Sequence, residues 1–117
     1  MTTLLFSGSI HGWMANDFHS KCDNKRPTIS LFKIKDGDCI GGYTNTLWLS
    51  PWLRDKYVVD SDAMLFNLSC QRHFPNKGTG YEILCGSGFG PCFEGGGGDL
   101  SVYLSPFNSD KFCLSYA

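Results

Sequence analysis

Apolar positions come in short runs along this chain, each cut off by glycine, proline or a polar turn. The spacing predicts a strand in LLFSGS (4–9) that stops at Ser-Gly. Trp13, Met14, Phe18 and Cys22 then fall at helical intervals in GWMANDFHSKCD (12–23). Asn16 or Asp17 caps this short helix, which ends near Asn24 with Pro27 beyond it. TISLFKIK (28–35) alternates Ile29, Leu31 or Phe32, and Ile34 with polar residues, the period of a strand. Asp36-Gly37 comes next, then DCIGGYT, and two strand-like runs around Asp-Gly predict a hairpin. LWLSPWL (47–53) is broken by Pro51 and reads as a loop that packs its tryptophans. AMLFNLSC (63–70), YEILCG (81–86) and DLSVYL (99–104) read as strands, RHFPNKGTG (72–80) as turn. The tail, 105–117, is loop-like with room for a last short strand. Short strands, few helices and glycine-rich turns predict an α+β domain, a mostly antiparallel sheet pair with helices at its edge.

Composition narrows the class. A length of 117 residues suits one domain, taken as 1–117, and buries enough surface to fold without metal or disulfide. The net charge of −1 offers no general hold on nucleic acid, which needs a basic surface. No signal peptide and no membrane-length apolar run stands out, so a soluble, cytoplasmic protein is expected. Six cysteines (22, 39, 70, 85, 92, 113) raise the question of a disulfide framework. Several lie in apolar strand-like runs, where a reduced cysteine serves as a small hydrophobe. Asn67-Leu68-Ser69 matches a glycosylation acceptor but sits in a strand candidate, so it reads as coincidence.

The stretch SGFGPCFEGGGGDL (87–100) invites a phosphate-loop reading. Such a loop needs a lysine and a helix behind its last glycine. Here Gly98 is followed by acidic Asp99 and an alternating run. Gly95, Gly96, Gly97 and Gly98 therefore read as a structural loop that lets strand 99–104 pair with strand 81–86.

Cys85 and Cys92 are the candidate redox-sensing thiols. A thiol-dependent hydrolase or peroxidase would use the same two, with His11, His19 or His73 as base. Apolar neighbours and Glu94 work against a thiolate at Cys92, and no motif ties a histidine to it. His19-x-x-Cys22 has metal-ligand spacing, yet a lone loose pair reads as an exposed histidine and a core cysteine, and no metal is assigned. Asp36, Asp38, Asp60 and Asp62 read as turn residues. Trp48 and Trp52 straddle Pro51 as a lid over the core; if exposed, they are the partner-binding surface.

Several segments in order resemble the TLDc domain family: LLFSGSIHGW, DFHSKCDNKRPTISLFKIKDG, IGGYTNTLW, AMLFNL and FGPCFEGGGGDLSVY. The resemblance covers most of the chain. It implies a two-layer antiparallel β-sandwich flanked by short helices, an oxidative-stress role and, as in several members, binding to the vacuolar proton pump (V-ATPase). It supplies no catalytic residues and no cofactor. Three departures stand out. There is no helical lead-in, the glycine run has an extra residue with Gly98 where a polar residue is usual, and the chain stops at CLSYA before a closing strand. These suggest a minimal or truncated member, with an open sheet edge suited to a homodimer. The reading is a non-catalytic interaction module.

Overall fold

Two strands, β2 (Thr28–Lys33) and β3 (Cys39–Thr44), lie on either side of the Asp-Gly pair in sequence and pair antiparallel from Thr28↔Thr44 to Lys33↔Cys39. Gly37, at φ +90°, takes the left-handed conformation that a tight reversal needs. This hairpin is the centre of a computed structural model that describes residues 3–12, 14–33, 37–51, 54–74, 82–87, 90–93, 100–101 and 113–116, the last two by backbone alone.

Around the hairpin run β1 (Leu4–Ser7), β5 (Met64–Asn67), β6 (Arg72–Phe74) and β10 (Cys113–Tyr116), in the sheet order β1-β10-β2-β3-β5-β6. A second sheet holds β4 (Lys56–Val58), β7 (Ile83–Cys85), β8 (Cys92–Phe93) and β9 (Leu100–Ser101), in the order β4-β7-β8-β9. Every pairing between these strands is antiparallel, and an isolated bridge from Asp23 to Trp48 is parallel. Two short helices, α1 (Gly8–His11) and α2 (Ala15–Cys22), come after β1. The architecture is the expected α+β sandwich of two antiparallel sheets with short helices.

The core forms where the sheets and α2 meet: Phe6 and Phe32 from the first sheet, Ile83, Cys85 and Phe93 from the second, Phe18 and Cys22 from α2. Aromatic rings span it edge-to-face. Phe6 meets Phe18 at 5.6 Å, Phe18 meets Trp48 at 5.8 Å and Trp48 meets Phe93 at 5.6 Å, the tilt that the ring quadrupoles favour. Gly42 of β3 lies beneath Phe93; a Cβ there would sit 2.5–2.8 Å from the ring. Its bare backbone is what lets the second sheet approach.

The faces of β2 are the reverse of what alternation predicts. Thr28, Ser30 and Phe32 are buried, and Ile29 is exposed. A strand has only two faces, so burying the hydroxyls turns the isoleucine outward. The hydroxyl has a reason to be inside, because Thr28 Oγ1 accepts a 2.9 Å hydrogen bond from Trp48 Nε1.

Four other expectations change. The cap of α2 comes from neither Asn16 nor a leading Asp17. Asp17 lies in the first turn, and its Oδ2 accepts the Met14 amide at 3.0 Å. The strand through 63–70 ends at Asn67, where Asn67 Oδ1 accepts the amides of Ser69 (2.9 Å) and Cys70 (3.2 Å) and starts a turn. Gln71, at φ +56°, completes that turn, and Arg72–Phe74, expected as turn, is β6. The tail, expected as mostly loop, ends in β10, which lies inside the sheet, paired with β1 on one side and β2 on the other.

Candidate functional site

The glycine run does not join strands 81–86 and 99–104. β8 stands between β7 and β9, and the run connects β8 to β9, with Phe93 paired to Leu100 and Cys92 to Ser101. The run leads into a strand, not into the helix that a phosphate loop requires. Gly95 through Gly98 themselves lie outside the described residues.

At the end of α2 is a set of polar groups whose placement differs from the expectation. His19, expected on the surface, is buried. Its Nε2–H donates to the Gly86 carbonyl at 2.7 Å, and its Nδ1 lies 2.6 Å from Asp23 Oδ1. A carbonyl only accepts, so Nε2 carries hydrogen, and imidazole and carboxylate hold one further proton between them. Asp23 Oδ2 accepts from Ser50 Oγ. The Asn24 amide donates to the Trp48 carbonyl at 3.0 Å. These bonds tie the end of α2 to segment 48–50 and to the turn after β7. The Ser-Asp-His order resembles a catalytic set in composition only: the hydroxyl faces the carboxylate, and the imidazole nitrogen that would act as base is bonded to backbone. The signal in the sequence is the four-residue spacing of His19 and Asp23, one helical turn.

A second carboxylate, this one buried, does similar work. Asp60, read as a turn residue, does accept the Asp62 amide at 3.0 Å through Oδ1. Its Oδ2 also accepts from Thr44 Oγ1 and from the Asn45 amide at 2.8 Å. The Asp60 amide donates to Glu82 Oε1 at 3.1 Å, which links the end of β3 to the start of β7. Asp38 accepts from Asn67 Nδ2 at 3.4 Å, which fits a turn role. Asp36 lies outside the described residues.

The candidate thiols are not at the surface. Cys85 is 1 % exposed and Cys92 is 2 % exposed. Burial pushes the Cys85 thiol up, with a smaller push from the Asp23 charge, and the Leu49 backbone hydrogen bond and the Lys56 charge offset only part of that. A raised thiol inside an apolar core is a poor thiolate, so the redox-sensing and nucleophile readings of these two meet a physical obstacle. Cys22 is fully buried in the core, as expected. Cys22, Cys39, Cys70, Cys85 and Cys92 are all thiols. Among the described residues no group of three or more His, Cys, Asp or Glu side chains could hold a metal ion.

Trp48 is at 0 % exposure, the hub of the aromatic contacts, with its only polar side-chain atom bonded to Thr28. It belongs to the core, which corrects its alternative role as a partner-binding anchor: an indole with no exposed surface cannot meet a partner. Trp52 lies outside the described residues. Exposed apolar side chains are elsewhere, with Ile10 at 72 % and Val59 at 69 % the most open. No described helix is long and apolar enough to cross a membrane.

Comparison with family models matches residues 1–114 to the TLDc domain. No curated protein matches the chain.

Proposed function

Because the chain belongs to the TLDc domain family, we propose that it is a non-catalytic protein-interaction module of oxidative-stress defence, acting in the cytoplasm through a vacuolar proton pump (V-ATPase) as partner. Residues 1–117 work as one domain in this reading. The observation that supports it is the use of the chemistry-bearing side chains. His19 spends both ring nitrogens on internal hydrogen bonds, and Cys85 and Cys92 are packed in the interior. What the described surface offers instead is exposed apolar side chains such as Ile10 and Val59, the material of contact rather than of turnover. Trp52 keeps its place as a candidate contact residue, and self-pairing would use β6, an exposed edge strand of the larger sheet.

The test is capture of partners from the native cell on tagged protein, with identification by mass spectrometry. Pump subunits should be enriched, and Ile10→Asp and Val59→Asp, which leave the core untouched, should be compared for loss of them. Capture without any pump subunit would refute the pump as partner. A peroxidase or hydrolase turnover lost in Cys85→Ser or Cys92→Ser would refute the non-catalytic reading.

A further inference from the structure

Of the five described cysteine side chains three are buried, Cys39 is half-buried and Cys70 is exposed. The two accessible thiols are far apart in sequence and close in the fold. Cys39 is the first residue of β3, and the β3–β5 register, Ile40 opposite Asn67, continues by one step to place Leu68 opposite Cys39. The Leu68 amide donates to the Cys39 carbonyl at 2.8 Å. In return the Cys39 amide donates to Ser69 Oγ at 2.8 Å. Cys70 is the next residue, its Cα about 3.8 Å from that of Ser69. Asn67 Oδ1 grips the amides of both Ser69 and Cys70, so the turn holds Cys70 beside the end of β3. A disulfide needs Cα atoms about 4.4–6.8 Å apart; Cys70 is exposed and follows directly on Ser69, the residue already bonded to the Cys39 amide, so the turn is the part that would move to bring the two sulfurs together.

We propose that Cys39 and Cys70 are a redox-modification site, at which a hydroperoxide converts the two thiols into one intrachain disulfide. Cys70, the more exposed, meets the oxidant first. Its thiolate attacks the terminal peroxide oxygen, the O–O bond breaks, and the departing alkoxide takes a proton to leave as alcohol, or as water from hydrogen peroxide. Cys70 is then a sulfenic acid. The Cys39 sulfur attacks the Cys70 sulfur, the S–O bond breaks, and hydroxide leaves with the Cys39 proton as water. Two thiols have lost two electrons and two protons to one peroxide. Burial pushes the Cys39 thiol up, which makes it a poorer first target for the oxidant. This site rests on the turn geometry alone and is independent of any partner of the domain.

Trypsin isolates the two residues: peptide 36–54 holds Cys39 as its one cysteine and peptide 57–72 holds Cys70. The folded chain is treated with about one equivalent of hydrogen peroxide, remaining thiols are alkylated, and the non-reduced digest is analysed by mass spectrometry. The cross-linked pair 36–54/57–72 should exceed every other cysteine pairing about ten-fold, by the proximity advantage of held groups. The excess should vanish in urea and in Cys39→Ser and Cys70→Ser, both substitutions at sites outside the core. In Cys39→Ser, Cys70 should stop at the sulfenic acid, trapped by dimedone, and go on to sulfinic acid when a second equivalent of peroxide is added. Alkylated Cys39 beside over-oxidised Cys70 in the unaltered protein would overturn the proposal. So would Cys70 joined to a second chain's Cys70, or a preference that survives urea.

Discussion

His19 and Asp23 are one helical turn apart at the end of α2, with Nδ1 2.6 Å from Oδ1, and together they reach two other parts of the chain. The imidazole reaches Gly86 beyond β7, and the carboxylate reaches Ser50. The pair therefore sets where α2 sits on the sandwich. Hydrogen bonds to charged groups are worth about 1.5–3 kcal/mol each, and a buried partner left unmatched costs about as much again. His19→Ala should lower the stability of folding by about 3 kcal/mol and Asp23→Ala by about 2 kcal/mol, read from urea unfolding. The double variant should cost less than the sum, because the two side chains share one bond. Strict additivity would show that the pair does not act as a unit.

Trp48 joins the aromatic contacts of α2 to those of the second sheet. Trp48→Ala removes the middle ring and should cost about 4 kcal/mol. Trp48→Phe keeps a ring but leaves the Thr28 hydroxyl without its donor, for a cost of about 1–2 kcal/mol. Urea midpoints check both values; a Trp48→Ala protein within about 1 kcal/mol of the original would mean that this ring does not bridge the layers.

Gly42→Ala puts a methyl group into the Phe93 ring, at 2.5–2.8 Å from its carbons. Overpacking of this kind costs about 1–3 kcal/mol. Phe93→Leu should make room, so Gly42→Ala should be less harmful in that background. Thermal unfolding of the two single variants and the double variant measures the coupling, and equal penalties in both backgrounds would disprove the contact.

The Cys85 thiol is held above its ordinary value of 9.0, chiefly by burial. The folded state thus keeps this proton more tightly than the unfolded chain does. The resulting stabilisation is complete below the unfolded value and is lost as pH rises through the folded one. The stability difference between the parent protein and Cys85→Ala should therefore narrow as pH is raised from neutral into the alkaline range. A difference that stays flat with pH contradicts the assignment. Alkylation gives a second view: iodoacetamide at neutral pH should label Cys70 well before Cys85.

Where pattern and geometry are local, the sequence could be read directly. The Asp-Gly hairpin, the short helix ending at Cys22 and the loop at Pro51 are each set by residues within a few positions of one another. The features that escaped depend on partners far along the chain. β6, Arg72–Phe74, looks like turn because an exposed edge strand has no need of an apolar face. β4 hides in the same way in the charged run around Lys56. Nothing near Thr28 announces that Trp48 will draw its hydroxyl inward and turn Ile29 out. The burial of His19 depends on a carbonyl at Gly86, and its one local sign was Asp23 four residues on. The pairing of β9 with β8 rather than β7 arises from a two-residue strand, Cys92–Phe93, too short to show a period.

The placement of β10 bears on how the protein is made. Among the described strands, β1 has β10 as its one neighbour, and β10 divides β1 from β2. A nascent polypeptide emerging from the ribosome can close the Asp-Gly hairpin early, but Leu4–Ser7 must wait for residues 113–116 before it can dock. Until then β1 has no strand to pair with, and the growing molecule carries an unfinished flank while residues 8–112 are made.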